Sequence, residues 1–179
     1  MGADNLRVML SLHPVTERDL AALRRFEFDN RAFFESRINA RPAAYYDEGG
    51  IEAAIATALR EAAADVGHQY LIKDGDGALI GRINLNHVRR THYHSCELGY
   101  RIAESENGRG HAKEAVRLVL AKAFGELGLQ RVEAKARAGN AASMKVLAHN
   151  GFREFGRSTR SFQLRDEWED MLHFERHAA

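Results

Sequence analysis

The chain has 179 residues, close to the usual size of one domain, and its 45% hydrophobic content is enough to build a core and exclude wholesale disorder. Its 26 Lys and Arg residues nearly balance 25 Asp and Glu residues, and the net charge of +1 gives no electrostatic basis for non-specific nucleic-acid binding. No apolar run approaches the roughly 20 residues that cross a bilayer, and residues 1–7 lack the long apolar stretch of a signal peptide.

The chain contains a single cysteine, Cys96. One thiol cannot form an intramolecular disulfide, which fits a reducing compartment. We therefore expect one cytoplasmic domain over residues 1–179, with neither nucleic acid nor a membrane as a direct partner.

The first third of the chain combines one strand with two helices. Residues 6–12 read as a strand, which Pro14 is expected to end. Thr16 is a candidate N-cap, and apolar residues at a spacing of three, Leu20, Leu23 and Phe26, predict the helix that follows it. After a loop rich in turn residues over 37–50, an Ala-rich helix is expected over 51–66.

The middle of the chain changes to strand patterns. Residues 69–73 and 78–88 are predicted to form a hairpin around the Asp-Gly-Asp-Gly turn at 74–77, because glycine adopts positive φ at little cost. A further strand is predicted over 93–103.

The last part of the chain returns to alternating helices and strands. Residues 110–127 show the clearest amphipathic helix, with apolar side chains at steps of three and four. A strand is expected over 129–138, a short helix over 140–150, and two final strands over 152–164 and 168–174. This order predicts a mixed sheet flanked by helices, not βαβ units throughout.

A glycine-containing turn, Asn-Gly-Arg-Gly-His-Ala at 107–112, follows a predicted strand and opens the amphipathic helix. Glycine lets a ligand approach the backbone, and the first N–H groups of a helix lack internal partners. The helix dipole, Arg109 and Lys113 add positive charge, so the turn suits a pyrophosphate. An ordinary strand–helix connection explains the turn alone equally well. A nucleoside triphosphate or a nicotinamide is disfavoured, because the corresponding glycine fingerprints are missing.

Three motifs occur in a characteristic order. Cys-Glu-Leu-Gly-Tyr-Arg-Ile at 96–102 leads into the glycine turn, and Asn-Ala-Ala-Ser-Met-Lys-Val-Leu-Ala-His-Asn-Gly-Phe follows at 140–152. Together they resemble the GNAT superfamily of N-acetyltransferases, most closely its ribosomal-protein-alanine N-acetyltransferases, and the resemblance is specific over about 81–168. It implies the GNAT fold: a mixed, mostly antiparallel sheet of about seven strands, splayed into a V and flanked by about four helices.

The resemblance also implies acetyl-CoA as the cosubstrate. The family pattern at the turn is filled by Asn107, Gly110 and Ala112, with Asn107 departing from the usual Gln or Arg. The pantetheine arm would pair with the strand that ends at 101–103, and Asn140 would bond the arm or the strand edge. The residues expected to hold CoA are Arg101, Ile102, Ala103, Asn107, Gly108, Arg109, Gly110, His111, Ala112, Lys113, Asn140 and Ser143.

Acyl transfer from a thioester to an amine needs a base, stabilisation of the carbonyl oxygen and a proton for the leaving thiolate. Glu97 is the candidate base, acting through a water, because it shares a strand face with Gly99; a salt-bridged strand carboxylate is the alternative. Ser143 is the candidate for protonating the thiolate, and helix capping is its alternative. Tyr100 is a weaker candidate, because alternation places it on the face away from Glu97.

Two other features predict no chemistry. His92 and His94 have metal-like spacing, but no carboxylate or cysteine pattern completes a site, so no metal is predicted. Cys96 lacks a defined histidine partner and reads as a core residue instead of a nucleophile.

We expect an acetyl-CoA-dependent N-acetyltransferase that acts by direct transfer in a ternary complex. The preferred acceptor is the N-terminal α-amine of a protein, since its pKa of about 8, against about 10.4 for lysine, makes deprotonation easier by roughly 3 kcal/mol. The alternatives are a small amine or antibiotic-like acceptor, or a non-catalytic CoA-binding module that needs neither Glu97 nor Ser143. The sequence leaves open whether the chain is a monomer or a homodimer.

Overall fold

A seven-stranded sheet runs through the protein in the computed structural model, which describes residues 9–179. The strands are β1 Ser11–Pro14, β2 His68–Lys73, β3 Leu79–Arg89, β4 Ser95–Ile102, β5 Arg131–Arg137, β6 Arg153–Leu164 and β7 Glu167–His177. The helices are α1 Leu20–Asp29, α2 Arg31–Glu35, α3 Gly50–Ala63, α4 His111–Ala121 and α5 Ala141–His149. The predicted mixed sheet with flanking helices is confirmed, and α2 is the helix that the sequence pattern did not predict.

The boundaries of β1 and β4 are among those that differ from the prediction. The strand expected over 6–12 lies partly outside the described residues, and within them β1 begins at Ser11 and includes Pro14. Proline is tolerated there because β1 is an edge strand. The strand expected from residue 93 begins at Ser95, because His92 and His94 adopt left-handed backbone angles, with φ of 65° and 44°.

The strand order is β1-β2-β3-β4-β5-β7-β6, and only β4 and β5 run parallel among neighbouring strands in the described part of the chain. Their pairing extends from Ser95 opposite Arg131 to Leu98 opposite Ala134. Beyond this point β4 continues to pair with β3, and β5 continues to pair with β7. The two central strands therefore part toward their carboxyl ends, and the predicted V-shaped opening is confirmed.

The helices form a layer on each face of the sheet. On one face, α4 and α5 pack their apolar side chains against β4 and β5, with Val116 and Val119 fully buried. On the other face, α1, α2 and α3 surround a second cluster that includes Leu71 of β2. Burial of each such side chain contributes about 1.5–3 kcal/mol, so both layers hold the sheet between them. No helix within residues 9–179 is long and apolar enough to cross a membrane.

A buried carboxylate joins α1 to the sheet. Glu27 of α1 is completely buried and accepts hydrogen bonds from three guanidinium groups. Arg41 contacts it at 3.2 and 3.3 Å and Arg101 of β4 at 3.3 Å, while Arg82 of β3 makes the shortest contact. Burial raises the pKa of Glu27, but the three guanidinium groups outweigh burial and hold that pKa below its ordinary value.

The Glu27→Gln variant should lose about 3–5 kcal/mol of unfolding free energy, because the amide leaves three guanidinium groups without a counter-charge. Chemical denaturation at neutral pH measures this loss. As a control, Glu126→Gln removes the carboxylate that pairs with Lys122 at the surface, and should lower the unfolding free energy by less than about 1 kcal/mol.

The difference between wild type and Glu27→Gln should also depend on pH. Since the folded-state pKa of Glu27 is lowered, its stabilisation is complete above the ordinary pKa of 4.5 and is lost as the pH falls through the folded-state value. A stability difference that stays constant on acidification would contradict this account.

Candidate active site

The glycine turn lies where β4 connects to α4, as predicted. Gly108 and Gly110 have φ of 78° and 84°, and Gly110 is the N-cap of α4, which begins at His111. A Cβ atom added at either glycine would meet no other group within 4 Å. The positive φ therefore explains glycine at these two positions, and crowding by neighbouring groups does not. The turn is exposed, and the first N–H groups of α4 can bind an anion.

The side chain of Asn107 stabilises the same connection. Its Nδ2 atom donates to the carbonyl oxygen of Ala103 at 2.8 Å, across a single 3₁₀ turn at Glu104–Glu106. Asn107 thus stabilises the segment that leads into the turn. The sequence comparison with the family pattern did not predict this role.

A carboxylate that the sequence pattern did not indicate lies beside the turn. Glu106 Oε2 is 3.4 Å from both Arg109 Nη1 and His111 Nε2. The other ring nitrogen of His111, Nδ1, is buried and has no hydrogen-bond partner among residues 9–179. Lys113 is exposed. An anionic ligand at this turn would therefore compete with Glu106 for contacts with Arg109 and His111.

Ser143 and Tyr100 are brought together, although the sequence pattern treated them as alternatives. The Asn140 side chain caps α5 by accepting from the Ser143 backbone N–H at 3.1 Å, so Ser143 itself is not the cap. Its hydroxyl instead lies 3.1 Å from the Tyr100 hydroxyl. Burial raises the pKa of Tyr100, while the hydrogen bond with Ser143 lowers it, and the net effect is upward. Both hydroxyl groups are therefore protonated at neutral pH.

Glu97 lies on the other face of β4, as alternation predicts. Its Oε2 atom accepts from Lys135 Nζ at 2.9 Å, and His87 Nδ1 is 3.9 Å away. Lys135 is the first residue of β5 beyond the β4–β5 pairing, so this ion pair crosses the point where the strands part. The ammonium group stabilises the carboxylate, and Glu97 would have to exchange it for a water to accept a proton.

An open cleft of about 300 Å³ lies between the end of α2 and the tip of the β6–β7 hairpin. Its lining residues are Ser36, Leu164, Arg165, Asp166, Glu167 and Glu169. Arg137, at the end of β5, joins its two sides by pairing with Glu169 and donating to the backbone carbonyl oxygen of Arg37 at 3.0 Å. The cleft is therefore next to the splayed end of β5.

The remaining polar candidates do not form a site. Burial raises the pKa of Cys96 to about 12, so the thiol is not ionised at neutral pH. His92 and His94 lie at an exposed turn instead of on a strand. Among residues 9–179, no group of three or more His, Cys, Asp or Glu side chains is arranged to hold a metal ion.

Comparisons with known proteins agree on one family. Residues 9–153 match the acetyltransferase (GNAT) domain model. A curated relative, the probable N-acetyltransferase YjcK of Bacillus subtilis, is 33% identical over 143 residues, which cover 79% of this chain and 79% of YjcK.

Solved structures of related proteins share the fold over 94% of this chain. RimJ of Mycobacterium smegmatis, in complex with CoA-disulfide, is 28% identical, with a TM-score of 0.85 and 82% of its chain covered. The ribosomal-protein-S5-alanine acetyltransferase of Vibrio fischeri is 20% identical, with a TM-score of 0.88 and 92% covered. The spermidine N-acetyltransferase of Vibrio cholerae, in complex with CoA and spermine, is 20% identical, with a TM-score of 0.80 and 95% covered. These findings support acetyl-CoA as the cosubstrate.

The Gly110→Val variant should weaken acetyl-CoA binding by about tenfold or more, because a branched side chain would stand where phosphate oxygens approach the start of α4. Gly77→Val is the matched control: Gly77 has φ of 82°, also has open space around its Cβ position, and lies in the β2–β3 turn. Both variants should lose about 1–3 kcal/mol of stability from backbone strain. Titration calorimetry with acetyl-CoA separates them, and equal affinities would refute the phosphate role of the turn.

Proposed function

The chain belongs to the GNAT acetyltransferase family and is an acyl-CoA-dependent N-acetyltransferase, and we propose that its acceptor is the N-terminal α-amine of a protein. The observation that supports this acceptor is the open cleft between α2 and the β6–β7 tip, next to the splayed end of β5. Small-molecule sites usually enclose most of their ligand, whereas an open cleft admits the end of a longer chain. The likeness to RimJ and to an S5-alanine acetyltransferase agrees with this proposal.

The proposed reaction is a direct transfer. The amine nitrogen attacks the thioester carbonyl carbon, a backbone N–H of β4 stabilises the oxyanion, and the C–S bond breaks as the amide forms. The Glu97 carboxylate first separates from Lys135 and then takes the amine proton through a water. Ser143 gives its hydroxyl proton to the departing thiolate, and Tyr100, which lies 3.1 Å away, replaces that proton. The proton taken up by Glu97 returns to Tyr100 through bulk water once the products leave. The products are the acetylated amine and CoA with a free thiol.

The division of these residues between two faces of β4 supports their roles. Glu97 lies on the α1 side with charged neighbours, which suits a group that accepts a proton from an amine. Ser143 and Tyr100 lie on the α4 and α5 side, where burial raises the pKa of the Tyr100 phenol, so that the phenol is protonated before transfer begins. We propose a cytoplasmic location as well, because the buried, unpaired thiol of Cys96 suits a reducing compartment.

A polyamine is the second candidate acceptor. Two exposed carboxylates, Asp166 and Glu167, line the cleft and would attract a cationic chain. The spermidine N-acetyltransferase of Vibrio cholerae shares the fold.

The acceptor proposal is tested by mixing the enzyme and acetyl-CoA with three acceptors: a peptide with a free N-terminus, the same peptide N-terminally blocked but containing lysine, and spermidine. Thiol release and mass spectrometry report transfer. We expect kcat/KM for the free N-terminus to exceed the other two by about tenfold or more, in line with the lower pKa of an α-amine. Preference for spermidine would favour the polyamine candidate, and tight acetyl-CoA binding without any turnover would favour a non-catalytic module.

The Ser143→Ala variant should lower kcat by about a hundredfold, the usual scale for loss of a general acid, with much less effect on acetyl-CoA affinity. Tyr100→Phe should have a smaller effect, because Ser143 remains. Ser161→Ala, on the exposed face of β6, is the control and should retain wild-type kcat. Stopped-flow measurement of thiol release gives kcat, and an unchanged kcat in Ser143→Ala would remove this serine from the mechanism.

In the same assay, Glu97→Gln should depress the rate most at low pH, where the amine arrives protonated and most needs a base. A pH–rate profile identical in shape to that of wild type would assign proton removal to another group.

A further inference from the structure

The buried cluster around Glu27 contains more positive than negative charge. Three guanidinium groups contact this single carboxylate, which leaves two positive charges in excess. Arg82 and Arg101 lie directly opposite each other in the β3–β4 register, where like charges repel. No second carboxylate within residues 9–179 pairs with these arginines. The excess positive charge of the cluster would therefore favour the binding of another anion.

Two of the three arginines can reach such an anion. Arg82 is 7% exposed and is also bonded to Gln69 and Tyr45. Arg41 and Arg101 retain 24% and 18% exposure. Arg41 Nη1 and the Nε and Nη2 atoms of Arg101 make no hydrogen bond within the described part of the chain.

Both accessible guanidinium groups are held in place by aromatic rings. Arg41 lies 4.3 Å from the ring centroid of Tyr45, and Arg101 lies 4.8 Å from that of Phe34. Burial and the neighbouring Arg41 lower the pKa of Arg101 to about 10. A nearby anion would relieve this repulsion, and little side-chain ordering would remain to be done when it binds.

The position of Arg101 connects the cluster with the reaction. Arg101 belongs to the part of β4 that no longer pairs with β5, and by alternation it shares a face with Gly99 and Glu97. At about 3.3 Å per strand residue, its Cα lies roughly 7 Å along the strand from that of Gly99. An anion bound to Arg101 would thus lie on the same side of the sheet as the base assigned to the acceptor amine.

We propose that Arg41 and Arg101 bind a carboxylate of the acceptor, so that the enzyme prefers amines with an acidic group nearby, such as protein N-termini with Asp or Glu in the first few positions. Guanidinium groups match carboxylates in geometry as well as in charge. The inference rests on the proposed acceptor, and it disfavours the polyamine candidate, whose cations the two arginines would repel. The same carboxylate chemistry could arrive on the donor, as a dicarboxylic acyl group.

The experiment compares two short peptides that differ only in Glu or Gln at the second position. Wild type should acetylate the Glu peptide with kcat/KM about tenfold higher, and this ratio should fall toward one in Arg41→Met and in Arg101→Met. Arg24→Met removes an exposed arginine of α1 that pairs with Glu52, and should keep the wild-type ratio. A ratio near one in wild type, or an unchanged ratio in Arg41→Met, would overturn the proposal.

Two further measurements show whether the carboxylate belongs to the acceptor or to the acyl donor, and distinguish failure of this proposal from failure of the proposed acceptor. If the arginine-dependent gain appears with succinyl-CoA and the Gln peptide instead, the carboxylate site stands and its ligand belongs to the donor. If no peptide is acetylated, the protein N-terminus fails as the acceptor, and calorimetry with succinate still decides the site: binding that Arg41→Met abolishes supports it, and no binding to wild type refutes it. Arg41 is in a loop, so this variant serves even if Arg101→Met does not fold.

Discussion

The parting of β4 and β5 after Leu98 and Ala134 is the constraint on which the rest of the structure depends. Each strand keeps its outer neighbour, so the sheet stays continuous while its centre opens. Backbone N–H and C=O groups released in this way need new partners, which a bound ligand can supply. Glu97, Tyr100 and Arg101 lie on β4, and Ser143 contacts Tyr100, so these four side chains flank the opening.

The opening has a different chemical character on each face. On the α4 and α5 side, an apolar wall surrounds two neutral hydroxyl groups, Tyr100 and Ser143. On the α1 side, Glu97 is paired with Lys135, and Glu27 lies beneath three arginines. A reaction in which one partner leaves as a thiolate and the other arrives as an ammonium ion requires different surroundings for each. The alternation of side chains along one strand provides both.

Local periodicity was enough to predict the sheet, four of the helices and the glycine turn. The apolar stripe of α4 and the turn after β2 involve neighbours within a few residues, so the pattern is visible in the chain itself. The contacts of Glu27 are not, because its partners Arg41, Arg82 and Arg101 are 14, 55 and 74 residues away. The contact between Tyr100 and Ser143, 43 residues apart, is of the same kind. Such contacts arise only when the strands and helices pack.

The carboxylate of Glu106 places a negative charge beside the glycine turn, where an anionic ligand is proposed to bind. Since Glu106 is already paired with Arg109, a small monovalent anion at the turn would gain little by displacing it. A ligand with several negative charges would gain more, because it could contact Arg109 together with the first N–H groups of α4. An anion bound at this turn would therefore have to displace an internal carboxylate, which favours a ligand with several charges over a monovalent one.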